Sequence, residues 1–197
     1  MTDSTVRLRP IPPAELSDEQ KPLYEDMKKG ISSDFNAFQT MVQDGPAKGA
    51  LIGPWNPWLH EPKIGRAIWD LTEAMTAEAS LPEPVRQVVI LVVGAQFDAA
   101  YELYAHIAVA EKVGMDDARL ASLCSGIKPA DLSAEESAGY DVAFALVNGG
   151  TLPRPAWDQA VALFGQHGAN EMIYLVGLYC MVSTTLNGFA VGVPEDA

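Results

Sequence analysis

A glutamate and a histidine four residues apart are the strongest candidates for chemistry in this sequence. Glu102 and His106 lie in the segment DAAYELYAHIAVAEKVG, and residues with this spacing share one face of an α-helix, about a turn apart. A carboxylate beside an imidazole can perform acid–base catalysis, because the carboxylate orients the ring and supports its charged form. The same spacing also fits a surface ion pair or a buried histidine held by hydrogen bonds.

Two consecutive helices are predicted to position this pair. The first follows Pro82 and contains the almost wholly apolar run of residues 86–93, which indicates an element buried on all sides. The β-branched residues of that run could equally form a buried strand, but the sequence contains no comparable second strand to pair with it. Asp98 is predicted to be the N-cap of the second helix, which is expected to end near Gly114.

The rest of the chain predicts further helices, giving an all-α, single-domain bundle of about eight. Capping boxes at Ser17–Gln20 and Ser133–Glu136 indicate two helix starts. Asn170 is predicted to cap a last helix over residues 171–187. Shorter helices are predicted over residues 35–43 and 47–52.

Residues 53–62, GPWNPWLHEP, contain three prolines and a glycine, so this segment is predicted to be irregular. Trp58 and His60 lie within it and are weaker candidates for the wall of a substrate pocket. Aromatic side chains in such a segment could instead serve only to pack it onto the core.

Composition restricts the class of protein. The 197 residues carry 26 acidic against 13 basic side chains, a net charge of −13, and no basic stripe is present to neutralise phosphates. A nucleic-acid partner is therefore not expected. The N-terminus does not resemble a signal peptide, and no apolar run is long enough to span a bilayer, so we expect a cytoplasmic protein without a membrane partner.

The cysteines and histidines predict no metal centre and no dithiol. Cys124 and Cys180 are far apart in sequence and form no CxxC motif, so free buried thiols are expected. The three histidines, His60, His106 and His167, form no HxxxH or ExxH pattern. No nucleotide-binding or serine-hydrolase motif is present either.

The segment VRQVVILVVGAQFDAAYELYAHIAVAEKVGM resembles the core of the carboxymuconolactone decarboxylase family, which includes the alkylhydroperoxidase D-like proteins. The resemblance extends to GPWNPWLHEPKIGRAIWDL and EMIYLVGLYCMVSTTLNGFAV, and covers most of the chain after residue 35. It implies an N-terminal extension with the first helix over residues 1–34 and a family domain over residues 35–197. It also implies an alkylhydroperoxidase D-like fold and assembly into a homotrimer or homohexamer.

The resemblance places this chain in a cysteine-free branch. The peroxidase branch uses a CxxC motif and a relay glutamate, and those positions fall on Ala99, Glu102 and Gln87 here. Without the dithiol, no disulfide cycle is possible at these positions. The decarboxylase branch has Glu and His at the positions of Glu102 and His106, but Gln87 replaces an acid that is common in both branches.

The resemblance implies a lyase of aromatic catabolism that needs no cofactor and acts on a small lactone or conjugated carboxylic acid. His106 would donate or relay the proton and Glu102 would orient its ring. Arg86 would hold a substrate carboxylate, or would instead pair with an acid at its helix end. Gln87, His60 and Trp58 complete the predicted substrate-binding residues. The alternatives are a peroxidase-related protein and a non-catalytic ligand-binding member of the same fold.

Overall fold

The computed structural model describes residues 7–33 and 47–194, and within these ranges the chain is all-α, as predicted. A short 3-10 turn, Pro13–Glu15, precedes the helices. The eight α-helices of the described ranges are α1 (Gln20–Ser33), α2 (Trp55–His60), α3 (Pro62–Ala77), α4 (Glu83–Phe97), α5 (Ala100–Lys112), α6 (Asp117–Cys124), α7 (Ala134–Val147) and α8 (Arg154–Gly188). The helix predicted over residues 35–43 and the predicted domain boundary after residue 34 lie outside the described residues, and both stay predictions.

The chain divides into two compact units, one formed by Met1–Ala77 with Thr185–Ala197 and the other by Glu78–Thr184. In the first unit, α1 starts with the predicted capping box. The Ser17 N–H donates to Gln20 Oε1 (2.9 Å), and the Gln20 N–H donates to Ser17 Oγ (3.3 Å). Further along α1, a Cβ atom added to Gly30 would lie 2.5 Å from the buried ring of Trp69 on α3. Glycine is therefore the residue that allows this approach.

Two local predictions in the first unit are wrong. Residues 53–62 are not irregular, since they contain α2 and the start of α3. Pro54, Pro57 and Pro62 fall at the N-cap or in the first turn of a helix, where backbone N–H groups have no intrahelical partner and proline costs little. Residues 47–52 form no α-helix, and Gly49 adopts a positive φ of 85° within a turn there.

In the second unit, α4 packs against α5, α6 and α7. Its residues 88–93 are all buried and helical, so the helix is confirmed over the strand alternative. Gly139 on α7 lets the two helices come close, since a Cβ atom there would lie 3.0 Å from Val85 and 3.3 Å from Val89. An element that is apolar all round is stable only when neighbours cover every side.

A tight turn joins α4 to α5. Asp98 ends α4 in the left-handed region (φ 48°, ψ 45°), and the Ala99 N–H donates to the Gly94 carbonyl (3.0 Å). Asp98 is therefore not the N-cap of α5, because that position is held by Ala99 without a side-chain bond. Backbone hydrogen bonds close the turn, and Asp is one of the few non-glycine residues that adopt this conformation readily. The turn folds α5 back along α4.

The last helix begins earlier than predicted. The span Arg154–Gly188 of α8 consists of two helical segments joined at Gly165, whose φ of 68° and ψ of 179° are not helical. Asn170 lies inside the second segment and caps nothing. A positive φ is readily adopted by glycine, which explains why the direction changes there. None of the helices in residues 7–33 and 47–194 combines the length and the apolarity needed to cross a membrane.

Candidate functional site

The structure brings Glu102 and His106 into contact on α5. Their side chains are 5% and 7% exposed, and Glu102 Oε1 lies 3.1 Å from His106 Nε2. Gly94 on α4 allows α5 to come this close, because a Cβ atom there would lie 3.0 Å from Leu103 and 3.6 Å from Glu102 Cγ. The spacing of four residues has thus produced a buried pair rather than a surface one.

Gln87 on α4 fixes the orientation of the imidazole. Its Nε2 donates to Glu83 Oε1 (2.6 Å), and its Oε1 lies 2.9 Å from His106 Nδ1. An ionised Glu83 can only accept hydrogen bonds, so the amide must present its nitrogen to Glu83 and its oxygen to the ring. His106 Nδ1 therefore carries a hydrogen and donates it to Gln87.

This tautomer has a consequence for the other ring nitrogen. With Nδ1 protonated, His106 Nε2 either carries a second proton or presents a lone pair to the carboxylate of Glu102. Glu102 Oε1 lies 3.1 Å from Nε2 but has no well-aligned hydrogen bond in the described part of the chain. The carboxylate oxygen is therefore within reach of the imidazole and is not held by another donor among the described residues.

Arg86, adjacent to Gln87 on α4, is engaged by two carboxylates. Its Nη1 contacts Glu171 Oε1 on α8, and its Nε lies 3.8 Å from Glu83. Glu171 Oε2 also accepts hydrogen bonds from the Ser80 N–H and hydroxyl (both 2.7 Å) and from the Leu81 N–H (3.0 Å). Burial alone would raise the pKa of Glu171, but these hydrogen bonds and the charge of Arg86 together hold it below its usual value.

The structure adds Tyr179, which the sequence analysis did not single out. Its ring on α8 meets the His106 ring edge to face, with centroids 5.0 Å apart and an interplanar angle of 86°. Burial, and then the nearby charge of Glu102, raise the pKa of the phenol. The sequence did contain a signal for Tyr179, because Glu171, Leu175 and Tyr179 recur every four residues and so share one face of α8.

Two of the predicted substrate-binding residues belong to the first unit. His60 ends α2, where its Nε2 lies 2.9 Å from the Arg9 carbonyl oxygen, and Trp58 is buried within the same helix. For both residues the structure shows surroundings within the first unit, and their predicted contact with a substrate stays a prediction.

The thiols and acids offer no other reactive cluster in the ranges that the structure describes. Cys124 and Cys180 are free and partly buried, and burial raises the pKa of each thiol. In those same ranges, no three His, Cys, Asp or Glu side chains come together as metal ligands.

Comparison with known proteins gives a family and a fold. Residues 62–145 match the sequence profile of the carboxymuconolactone decarboxylase family, while a comparison with curated proteins finds no match. Two solved structures are similar, namely the debrominase Bmp8 in its apo form and a cysteine-to-alanine variant of it in complex with 2,3,4-tribromopyrrole. Each is 12% identical to this chain with a TM-score of 0.68, and the alignments cover 99% of this chain and 95% and 94% of theirs.

At that level of identity the likeness to Bmp8 shows the fold alone. The family match is more specific, because it covers the whole of α3 to α6, most of α7 and the Glu102–His106 pair. The predicted resemblance is thus confirmed over residues 62–145, which match the carboxymuconolactone decarboxylase family.

Proposed function

We propose that this protein is a carboxymuconolactone decarboxylase-like enzyme in which Glu102 and His106 transfer a proton to or from carbon in a small lactone or conjugated carboxylic acid. The observation that supports this proposal is the buried contact of 3.1 Å between Glu102 Oε1 and His106 Nε2. Because Gln87 accepts the hydrogen on Nδ1, Nε2 is the ring nitrogen that faces Glu102 and would exchange a proton with the substrate.

The chemistry needs no oxidant, reductant or cofactor. In a decarboxylation, the bond to the carboxylate breaks, carbon dioxide leaves, and the electron pair moves through the conjugated system to the lactone carbonyl oxygen. The resulting enolate then takes a proton at carbon from the His106–Glu102 pair. In an isomerisation, the pair first removes a proton from one carbon and then returns one to another. The decarboxylation requires only a proton donor, whereas the isomerisation requires a base that then becomes the acid.

The charges around the pair favour a neutral lactone over a carboxylate, and therefore the isomerisation over the decarboxylation. Three acids, Glu83, Glu102 and Glu171, lie in this contact network with Arg86 and the ionisable ring of His106. Because Glu171 and Glu83 already neutralise the guanidinium, a substrate carboxylate would gain little from Arg86 and would meet the negative charges of these acids. A lactone carbonyl carries no charge and avoids that repulsion.

The experiment is a turnover assay with a panel of unsaturated lactones, some of them carrying a carboxylate, run in deuterated water. Nuclear magnetic resonance would report deuterium entering carbon positions, and a gas-phase measurement would report carbon dioxide. We expect His106→Ala to reduce turnover by about 10²–10⁴-fold while helicity is retained. His167→Ala is the matched control, because His167 is an exposed histidine of the same unit that contacts only the Glu78 carbonyl among the described residues.

Three outcomes would contradict the proposal. A His106→Ala variant with a lower melting temperature but unchanged specific activity would give the histidine a structural role only. Peroxide turnover that depends on an added thiol and is lost when both cysteines are replaced would instead indicate the peroxidase-related alternative. Absence of turnover and of deuterium incorporation across the panel would leave the non-catalytic alternative.

A further inference from the structure

The phenol of Tyr179 lies beside the reacting groups without a role in holding them. Its ring contacts the His106 ring at 5.0 Å, edge to face. The charges of Glu102 on α5 and of Glu83 and Arg86 on α4 all act on the phenol. Glu102 and His106 both lie on α5, while Glu83 and Arg86 both lie on α4.

The hydroxyl of Tyr179 is available for a further hydrogen bond. Among the described residues none donates to or accepts from it, and the side chain is only partly buried. Its oxygen is not one of the fully buried polar atoms that lack a hydrogen bond, so it remains open to a ligand, and a tyrosine hydroxyl can donate one hydrogen bond. By contrast, the polar atoms of Gln87 on the other side of His106 are occupied by Glu83 and the ring.

We propose that Tyr179 is a further catalytic residue, whose hydroxyl donates a hydrogen bond to the carbonyl oxygen of the substrate and stabilises the enolate oxygen as the proton moves at carbon. This inference rests on the proposed function, since it assigns the oxyanion donor for the same reaction. A neutral donor suits this site, because it binds the developing oxyanion without adding a charge that the neighbouring carboxylates would neutralise beforehand.

The surroundings keep the phenol in its donating form. Burial, and then the negative charge of Glu102, raise the pKa of Tyr179, while Arg86 acts in the opposite direction. The hydroxyl therefore retains its proton across the neutral range and through the alkaline limb in which free tyrosine would begin to ionise.

The test replaces Tyr179 with Phe, which keeps the ring and its contact with His106 and removes only the hydroxyl. On the lactone turned over by the wild type, we expect kcat to fall about 10²–10³-fold with little change in KM. Tyr174→Phe is the matched control, since Tyr174 lies on the same helix with 66% of its surface exposed. A ring that serves only for packing would leave kcat unchanged in Tyr179→Phe.

A second measurement is independent of turnover. Para-nitrophenolate is a stable mimic of an enolate oxygen, and its absorbance reports binding. We expect the wild type and Tyr174→Phe to bind it, and Tyr179→Phe to bind it about tenfold more weakly. Equal binding by all three proteins, or binding by none, would overturn the role of Tyr179.

The turnover of the two variants separates this inference from the proposed function. If His106→Ala abolishes turnover while Tyr179→Phe is fully active, the proposed function stands and this inference fails. An active His106→Ala would reject the proposed function itself.

Discussion

Two buried glutamates in the second unit have almost the same exposure but opposite surroundings. The side chain of Glu171 is 4% exposed and that of Glu102 is 5% exposed. Glu171 accepts three hydrogen bonds from Ser80 and Leu81 and pairs with Arg86. Glu102 Oε1 has only the ring of His106 at 3.1 Å, without a well-aligned hydrogen bond among the described residues.

The difference separates a structural carboxylate from one suited to chemistry. Removing one partner of a fully hydrogen-bonded buried charge is strongly destabilising, whereas a buried carboxylate oxygen without a hydrogen bond can still accept one from a neighbouring group or a ligand. The two clusters diverge at adjacent positions of α4, since Arg86 contacts Glu171 and Gln87 contacts His106. One helix therefore supports both the fold and the candidate site.

The largest expected effect is on stability. Glu171→Ala leaves Arg86 without its principal partner in a site that is 12% exposed, and breaking a buried ion pair costs about 3–5 kcal/mol in the free energy of unfolding. Urea denaturation followed by circular dichroism would measure the loss. In contrast, Glu102→Gln is expected to change that free energy by less than about 1 kcal/mol. Equal losses in the two variants would remove the distinction between the clusters.

The next largest effect is on turnover, where a change at Glu102 is expected to matter more than a change at Glu171. Glu102→Gln is expected to reduce turnover by about 10²-fold and to shift the pH–rate profile, because an amide cannot share the proton of His106. For Glu171→Gln, which keeps the shape of the side chain, the folded fraction should retain most of its activity. Initial rates normalised to folded protein would show this, and a greater loss of activity in Glu171→Gln would contradict it.

A smaller effect is expected at Gln87. Gln87→Met has a similar length but no acceptor, so His106 Nδ1 loses the hydrogen bond that fixes its tautomer, at a cost of about 0.5–1.5 kcal/mol. This corresponds to a loss of about tenfold in kcat at most. Nitrogen-15 resonances of His106 would report the tautomer directly, and wild-type resonances in Gln87→Met would show that Gln87 does not set it.

The pH dependence of stability should come partly from the structural cluster. The pKa of Glu171 is lowered from 4.5, because the hydrogen bonds of Ser80 and the charge of Arg86 outweigh its burial. The folded state therefore binds fewer protons at this group than the unfolded state. The stability that it contributes is complete above pH 4.5 and is lost as the pH falls through the lower folded value. Acid unfolding of Glu171→Gln, followed by fluorescence, should show a shallower decline than the wild type, and identical curves would refute the assignment.

The sequence predicted the helices of the second unit better than the connections and contacts between them. The apolar run of residues 86–93 was sufficient to predict a buried helix. The spacing of Glu102 and His106 was sufficient to predict that both side chains share one face of the next helix, since this periodicity follows from helix geometry. Asp98 was assigned to the wrong helix end, because an αL residue and an N-cap favour the same residue types. The partner of Arg86 could not be predicted, since Glu171 is 85 residues away and only the packing of α8 on α4 brings them together.

The smallest expected effect concerns the thiols, and it distinguishes the candidate site from a redox site. Cys124 and Cys180 are free and partly buried, and burial raises the pKa of both, so little of either is thiolate at neutral pH. Replacing both with Ser should cost about 1 kcal/mol or less for each in the free energy of unfolding, and turnover of the lactone should be unchanged.

Alkylation of the two thiols by iodoacetamide under native conditions should likewise be slow and should leave the activity intact. Rapid alkylation with parallel loss of turnover would place a thiol in the chemistry, and would mean that the contrast between Glu102 and Glu171 does not locate the active site.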